Sequence, residues 1–99
     1  MGINIRVSNI VMSGRLPLKK RLSSEDVERL IMKGDWMSIN EKAPCLKRYV
    51  ELEDSSRNIC VLLQVSGGMN ITGLKKIVEG GRVYDLVFKE IHKLLPKIL

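Results

Sequence analysis

The spacing of apolar residues changes along the chain, and each change predicts a new element. Residues 60–65 form a short apolar run rich in Val and Leu, which is typical of a buried strand. Residues 66–68, Ser-Gly-Gly, interrupt the run and suit a tight hairpin turn, because glycine tolerates positive φ. Residues 69–72 then alternate apolar and polar side chains, and Gly73 ends the segment. This stretch therefore predicts a β-hairpin around which the other elements pack.

Two segments carry the spacing of amphipathic helices. Ser23 or Ser24 can cap the first helix, with acidic residues in its first turn and Gly34 at its end. Its expected apolar face consists of Val27, Leu30 and Ile31. A second helix is predicted near the end of the chain, with Gly80 and Gly81 before or at its start and Pro96 closing it. Its apolar positions are Val83, Leu86, Val87, Ile91, Leu94 and Leu95.

Three further segments predict strands, at residues 3–12, 46–51 and 58–65. Residues 14–21 contain Pro17 and four basic side chains and are expected to form a solvated loop. The order is strand, helix, three or four strands, helix. Short connections between sequential strands favour an antiparallel sheet with both helices on one side, an α+β fold. At 99 residues the chain is expected to form a single domain, residues 1–99.

Charge narrows the classes of partner. The formal net charge is +6, which favours nucleic acid first and an anionic membrane second, although surface lysines alone would give the same value. No apolar run approaches the roughly 18 residues of a membrane span, and no signal peptide opens the chain. We therefore expect a cytoplasmic protein that does not enter a membrane.

Catalytic and metal-binding patterns are not evident in the sequence. His92 is the only histidine and lies in an amphipathic helix, where a surface position is expected. Cys45 and Cys60 lack the spacing of a zinc site or of a disulfide scaffold. Neither a Walker-type loop nor a GxGxxG motif occurs. The expectation is a non-enzyme without a cofactor.

The hairpin also carries a family resemblance. Its order of strand, Ser-Gly-Gly, strand, Thr72-Gly73 and Lys75 resembles the signature of one repeat of the TATA-box-binding protein family. Residues 8–11, SNIV, and 43–46, APCL, are similar to two other strands of that repeat. The matches span about residues 3–95, which leaves room for one repeat where the family has two. The resemblance implies half of a saddle, a curved antiparallel sheet with two helices packed on its convex face.

The resemblance also implies a DNA-facing side of the sheet. By position in the family repeat, the resemblance implies that Asn9, Val11 and Thr72 lie on the concave face. Because side chains alternate along a strand, the same face is expected to include Val7, Cys45, Lys47, Leu62, Gln64 and Asn70. The residues at the alternate strand positions point to the other face of the sheet. They are almost all apolar and are expected to be buried: Ile10, Leu46, Val61, Leu63, Val65, Met69 and Ile71. Candidate phosphate contacts are Lys47, Arg48, Arg57 and Lys75.

Departures from the family pattern change the expected mode of binding. The family's pair of Phe wedges, which kink DNA in the minor groove, falls on Ala43 and Gln64 here, so sharp bending is not expected. The turn after the second strand carries Glu51, Glu53 and Asp54. These carboxylates would repel phosphate but could contact a basic protein, as the corresponding family turn contacts transcription factor B.

Three hypotheses follow. The first is a transcription-associated protein that binds duplex DNA weakly and with strong salt dependence. The second is an interaction module of the transcription machinery, binding a basal transcription factor, that has lost DNA binding. The third is a substrate-recognition domain like the TATA-binding-like domain of some ribonucleases H.

Two expectations concern assembly and the thiols. The first strand is expected to form a long apolar sheet edge, and we expect two copies of the chain to pair these edges in a homodimer. The alternative is a monomer in which the loop at residues 14–21 covers the edge. If Ala43 faces Gln64, then Cys45 faces Leu62 and Cys60 faces Lys47, which makes the cysteines diagonal neighbours at the limit of disulfide reach. We therefore expect both thiols to be free.

Overall fold

A computed structural model describes residues 10–39, 45–52 and 58–99, and all structural statements below concern these residues. Five strands and two helices follow one another along the chain. They are β1 (Ile10–Arg15), α1 (Ser24–Lys33), β2 (Met37–Ser38), β3 (Cys45–Glu51), β4 (Asn58–Gln64), β5 (Gly68–Leu74) and α2 (Ile77–Leu94).

The strands form one open, curved antiparallel sheet in the order β1-β5-β4-β3-β2. The strands β3, β4 and β5 are consecutive in the chain and lie side by side in the sheet. The strand β1 pairs with the other edge of β5, opposite the edge that pairs with β4. Both helices pack on one face, and the apolar side chains between helices and sheet form a single core. The predicted α+β fold is confirmed.

Strict alternation decides which strand residues enter this core. Leu46, Val61, Leu63, Met69 and Ile71 are at most 4% exposed, as their parity predicts. They pack with Leu30 of α1 and with Val83, Val87 and Ile91 of α2, all fully buried. The sheet therefore has one face covered by helices and one face without them.

Capping fixes the start of α1. Ser23 is the N-cap, since its hydroxyl accepts a hydrogen bond from the Asp26 amide (3.2 Å) and its own amide donates to the Asp26 carboxylate (2.9 Å). Leu30 is buried as predicted, but Ile31 is 38% exposed and contributes less to the core than its spacing indicated. The sequence also predicts that Trp36 and Met37, just after the helix, pack in the core or against the helix. Trp36 is buried, but Met37 lies in β2 and is exposed, so the prediction for Met37 was wrong.

The sequence predicted that the strand β5 ends at Gly73, but the strand continues through Gly73 to Leu74. Ile10 pairs with Leu74 and Met12 pairs with Ile71, so one residue of β1 lies opposite two residues of β5, Thr72 and Gly73. Gly73 has φ +86°, the left-handed conformation that accommodates such a bulge. The bulge lets Ile71 and Leu74 both enter the core although they are three residues apart.

Two other predicted boundaries were wrong. The strand β1 continues through Ser13 and Gly14 to Arg15, which the sequence assigned to a loop. Its predicted part at residues 3–9 lies outside the described residues. Gly80 and Gly81 lie inside α2, which begins at Ile77, because the buried Glu79 accepts hydrogen bonds from the amides of Lys75 (2.9 Å) and Lys76 (3.0 Å) and holds the first turn together.

Candidate nucleic-acid interface

The face of the sheet without helices, called the open face here, carries a recognisable chemical pattern. It carries every second residue of the strands. Its described members are Val11, Ser13, Arg15, Met37, Cys45, Lys47, Tyr49, Glu51, Cys60, Leu62, Gln64, Asn70 and Thr72. Each of these is exposed or half-buried, in contrast to their buried neighbours.

Hydrogen-bonding side chains occupy the part of the open face formed by β1, β5 and β4. The Ser13 hydroxyl donates to Asn70 Oδ1 across the β1–β5 pair (3.0 Å). The Thr72 hydroxyl lies 3.5 Å from the Cys60 carbonyl oxygen, to which it donates. Gln64 is exposed at the end of β4, and Val11 is 61% exposed beside the bulge. The surface is thus polar with one prominent apolar side chain.

Most of the predicted DNA contacts come together on this face. Val11 and Thr72, which the resemblance assigned to this face, share it with Lys47, Gln64 and Asn70, which alternation added. Lys75 is exposed just beyond the end of β5 and therefore lies at the rim of the sheet. Asn9 lies outside the described residues.

The predicted acidic turn is only partly described. Glu51 is exposed at the end of β3, and Glu53 and Asp54 lie outside the described residues. Glu51 is the only carboxylate in the described strands. The described part of the open face therefore presents little negative charge to a polyanion.

The β3–β4 register differs from the predicted one. Cys45 pairs with Gln64, Lys47 with Leu62, and Tyr49 with Cys60. The expected pairings of Cys45 with Leu62 and of Cys60 with Lys47 were wrong by two residues, because they were transferred from the family's Phe pair. The cysteines are consequently four residues apart along the hairpin, about 14 Å at a strand rise of roughly 3.4 Å per residue. Both thiols are free, and this spacing is too long for a disulfide.

Arg48 is not on the open face, although it was a candidate phosphate contact. It shares the parity of Leu46 and Val50 and points toward the helices, where it forms an ion pair with Glu90 of α2. Asp35 lies 3.8 Å from its other guanidinium nitrogen. Burial lowers the pKa of Arg48 and the charge of Asp35 opposes that change. Arg48 is therefore part of the helix–sheet contact, and the fourth candidate, Arg57, lies outside the described residues.

Tyr49 is one of the open-face residues that sequence reasoning missed, together with Ser13, Arg15 and Met37. Its ring is half exposed, and the Lys47 ammonium lies 4.9 Å from the ring centroid. A hydrogen bond from the ammonium to the Tyr49 side chain raises the pKa of Lys47 above its ordinary value, so the lysine is charged at neutral pH. The signal was present in the sequence, since Tyr49 has the same parity as Cys45 and Lys47.

Other kinds of site find no support in the described part of the chain. No group of three or more His, Cys, Asp or Glu side chains there is arranged to hold a metal ion. His92 is exposed on α2, as expected from its position. None of the helices in the described ranges has the length and apolar character needed to cross a membrane.

Comparison with protein-family models, with curated proteins and with solved structures finds no match for this chain.

Proposed function

We propose that the chain binds duplex DNA through the open face of its sheet. The observation that carries this proposal is a helix-free face with a polar centre, Ser13, Asn70, Thr72 and Gln64, and a single carboxylate among its described residues. Amide and hydroxyl side chains hydrogen-bond to base edges and to phosphate oxygens. The net charge of +6 supplies the attraction to the phosphate backbone.

The mode of contact that we propose is shallow. The resemblance puts one of the family's Phe wedges at Gln64, and the flexible polar side chain of Gln64 cannot unstack a base step. Val11 can contact a base or sugar without insertion. The resemblance of the hairpin to the TATA-box-binding family supports DNA as the ligand, while the missing wedge supports binding with little bending. We therefore expect weak binding that falls steeply with salt.

Two charge reversals of equal size test the use of the open face. Lys47→Glu and Lys89→Glu each lower the formal net charge from +6 to +4, but Lys47 lies on the open face and Lys89 is exposed on α2. Fluorescence anisotropy with A·T-rich and G·C-rich duplexes at several salt concentrations gives affinity and salt slope. We expect Lys47→Glu to weaken binding and to reduce the slope by about 0.9, the value for one phosphate contact. Equal effects of both substitutions would show that only overall charge matters.

A second candidate function is binding of a protein partner of the transcription machinery. The observation that favours it is a set of exposed apolar side chains on or next to β2 and β3: Met37 (46% exposed), Ile39 (51%) and Tyr49 (49%). Such side chains are typical of interface cores. Absence of duplex binding even at low salt, with retained folding, would favour this function over DNA binding.

A further inference from the structure

Tyr49 is the aromatic side chain that the fold leaves available to a ligand. The chain has four aromatic residues. Trp36 is buried, and Tyr84 and Phe88 stack on one another along α2 with their ring centroids 6.3 Å apart. Tyr49 alone lies in a strand, and the residue is 49% exposed on the open face.

The side chains around Tyr49 are two half-buried apolar residues and one lysine. Cys60 lies opposite Tyr49 on β4, and Leu62 lies opposite Lys47, both half-buried. The Lys47 ammonium lies over the Tyr49 ring, 4.9 Å from its centroid, so a base that stacks on the ring must take the place of the ammonium, which then moves toward the phosphate. An exposed ring beside a cation offers a stacking surface and a phosphate contact within the length of one nucleotide.

We propose that Tyr49 and Lys47 form a subsite for one unpaired nucleotide, with the base stacked on the Tyr49 ring and its phosphate on the Lys47 ammonium. This inference rests on the proposed function and specifies which form of nucleic acid the open face prefers. In a duplex the face of each base is covered by its neighbours, so a ring fixed on a sheet can stack only on a base outside the stack. Open sheets with exposed aromatic and basic side chains bind single strands in this manner. The open face should therefore prefer a single strand, or a duplex with unpaired bases, over a fully paired duplex.

The test uses a fluorescein-labelled 12-nucleotide DNA single strand of mixed sequence and the matching duplex. Native protein, Tyr49→Phe and Tyr49→Leu are compared by anisotropy at one low salt concentration. The Phe variant keeps the ring, and the Leu variant keeps an apolar side chain without a ring. We expect tighter binding of the single strand by native protein and by the Phe variant, and a loss on the order of tenfold or more for the Leu variant, as for other stacked bases. Duplex affinity should be the same for all three proteins.

A spectroscopic readout identifies the contact directly. Stacking of a base shifts the ring proton resonances of the tyrosine it covers, and Tyr84, which lies on α2 and donates to the Arg15 carbonyl (2.9 Å), serves as the internal reference. We expect the single strand to shift the Tyr49 resonances and to leave those of Tyr84 unchanged.

The outcomes separate this inference from the proposed function. Unchanged single-strand affinity in Tyr49→Leu, or tighter binding of the duplex than of the single strand by native protein, would overturn the subsite. If the duplex is then still bound and Lys47→Glu still weakens it, the proposed function stands without the subsite. Absence of binding to both probes at low salt would reject both.

Discussion

Arg48 and Glu90 form an ion pair that joins the inward side of β3 to α2. The same Glu90 carboxylate accepts a hydrogen bond from Trp36 Nε1 (2.8 Å), so one side chain of α2 contacts both Trp36, which precedes β2, and Arg48 in β3. The Arg48 and Glu90 side chains are only 15% and 19% exposed. This pair explains why a basic residue lies on the buried side of the sheet.

Glu90→Gln should lower the free energy of unfolding by about 2–3 kcal/mol, because it leaves the Arg48 charge largely buried without its main partner. Asp35→Asn is the matched control. It neutralises the other carboxylate near Arg48, but Asp35 is 89% exposed and should contribute at most about 0.5 kcal/mol. Urea unfolding of the three proteins measures the difference, and equal stability of native protein and Glu90→Gln would contradict the assigned role of the pair.

Gly80 and Gly81 are adjacent in α2 but have different surroundings. A Cβ at Gly81 would meet nothing within 4 Å, whereas a Cβ at Gly80 would clash with Met12 Sδ and approach Leu74 Cδ1 to 3.3 Å. We expect Gly81→Ala to raise the free energy of unfolding by about 0.5–1 kcal/mol through helix propensity. Gly80→Ala should instead lower it by about 1 kcal/mol through overpacking against β1. Thermal unfolding of both variants checks the opposite signs, and a stabilised Gly80→Ala would show that Met12 moves aside freely.

Cys45 should form its thiolate only at a higher pH than an ordinary cysteine. Burial raises the pKa of the Cys45 thiol, and the charge of Cys60 raises it further. Because the pKa in the folded protein exceeds that in the unfolded chain, this group contributes full stability below the unfolded pKa, and the contribution is lost as the pH rises through the folded value. The rate of alkylation of Cys45 against pH, followed in Cys60→Ser so that one thiol remains, should have a midpoint above that of the urea-unfolded variant. Coincident midpoints would show that burial does not perturb this thiol.

The sequence predicted burial correctly for Leu46, Val61, Leu63, Met69 and Ile71, whereas Ile10 and Val65, also expected to be buried, are half-buried. In a sheet with one covered face, apolar and polar residues alternate along each strand, and this alternation does not depend on where the strand ends. Leu63 and Met69 could therefore be assigned to the buried face without knowledge of the register. The family resemblance was a poorer guide to register, because the pairing of Cys45 depends on loop geometry rather than on parity.

Other features depend on contacts between distant residues. Gly73 is compatible with a strand end or a bulge, and only the pairing of β5 with β1 decides between them. Gly80 lies in a helix because close packing against Met12 compensates its weak helix propensity. Arg48 and Glu90 are 42 positions apart, and no local pattern indicates that they meet. Alternation along the strands predicted Lys47, Gln64 and Asn70 on the open face. Tyr49 was missed, although it lies at the same alternate positions of β3 as Lys47 and could have been assigned in the same way.

The expected homodimer rests on the position of β1. Among the described strands it pairs with β5 alone, so no described strand lies along the other edge of residues 10–15, and unpaired edges recruit other chains. Ile77 (71% exposed) and Val78 (65%) lie in the first turn of α2, which begins three residues after the β1-paired Leu74, and could add apolar contact to an edge-to-edge pair.

We expect native protein to be a dimer at micromolar concentration and Ile77→Lys to shift it toward monomer, because a charge placed at a two-fold interface faces its own copy or lies close to it. Met32→Lys is the control, since Met32 is equally exposed (72%) but lies on α1, away from the β1 edge. Sedimentation equilibrium of the three proteins measures the association, and circular dichroism shows whether each variant is folded. A monomeric native protein would exclude the dimer, and a folded Ile77→Lys variant that remains dimeric would place the interface elsewhere on the molecule.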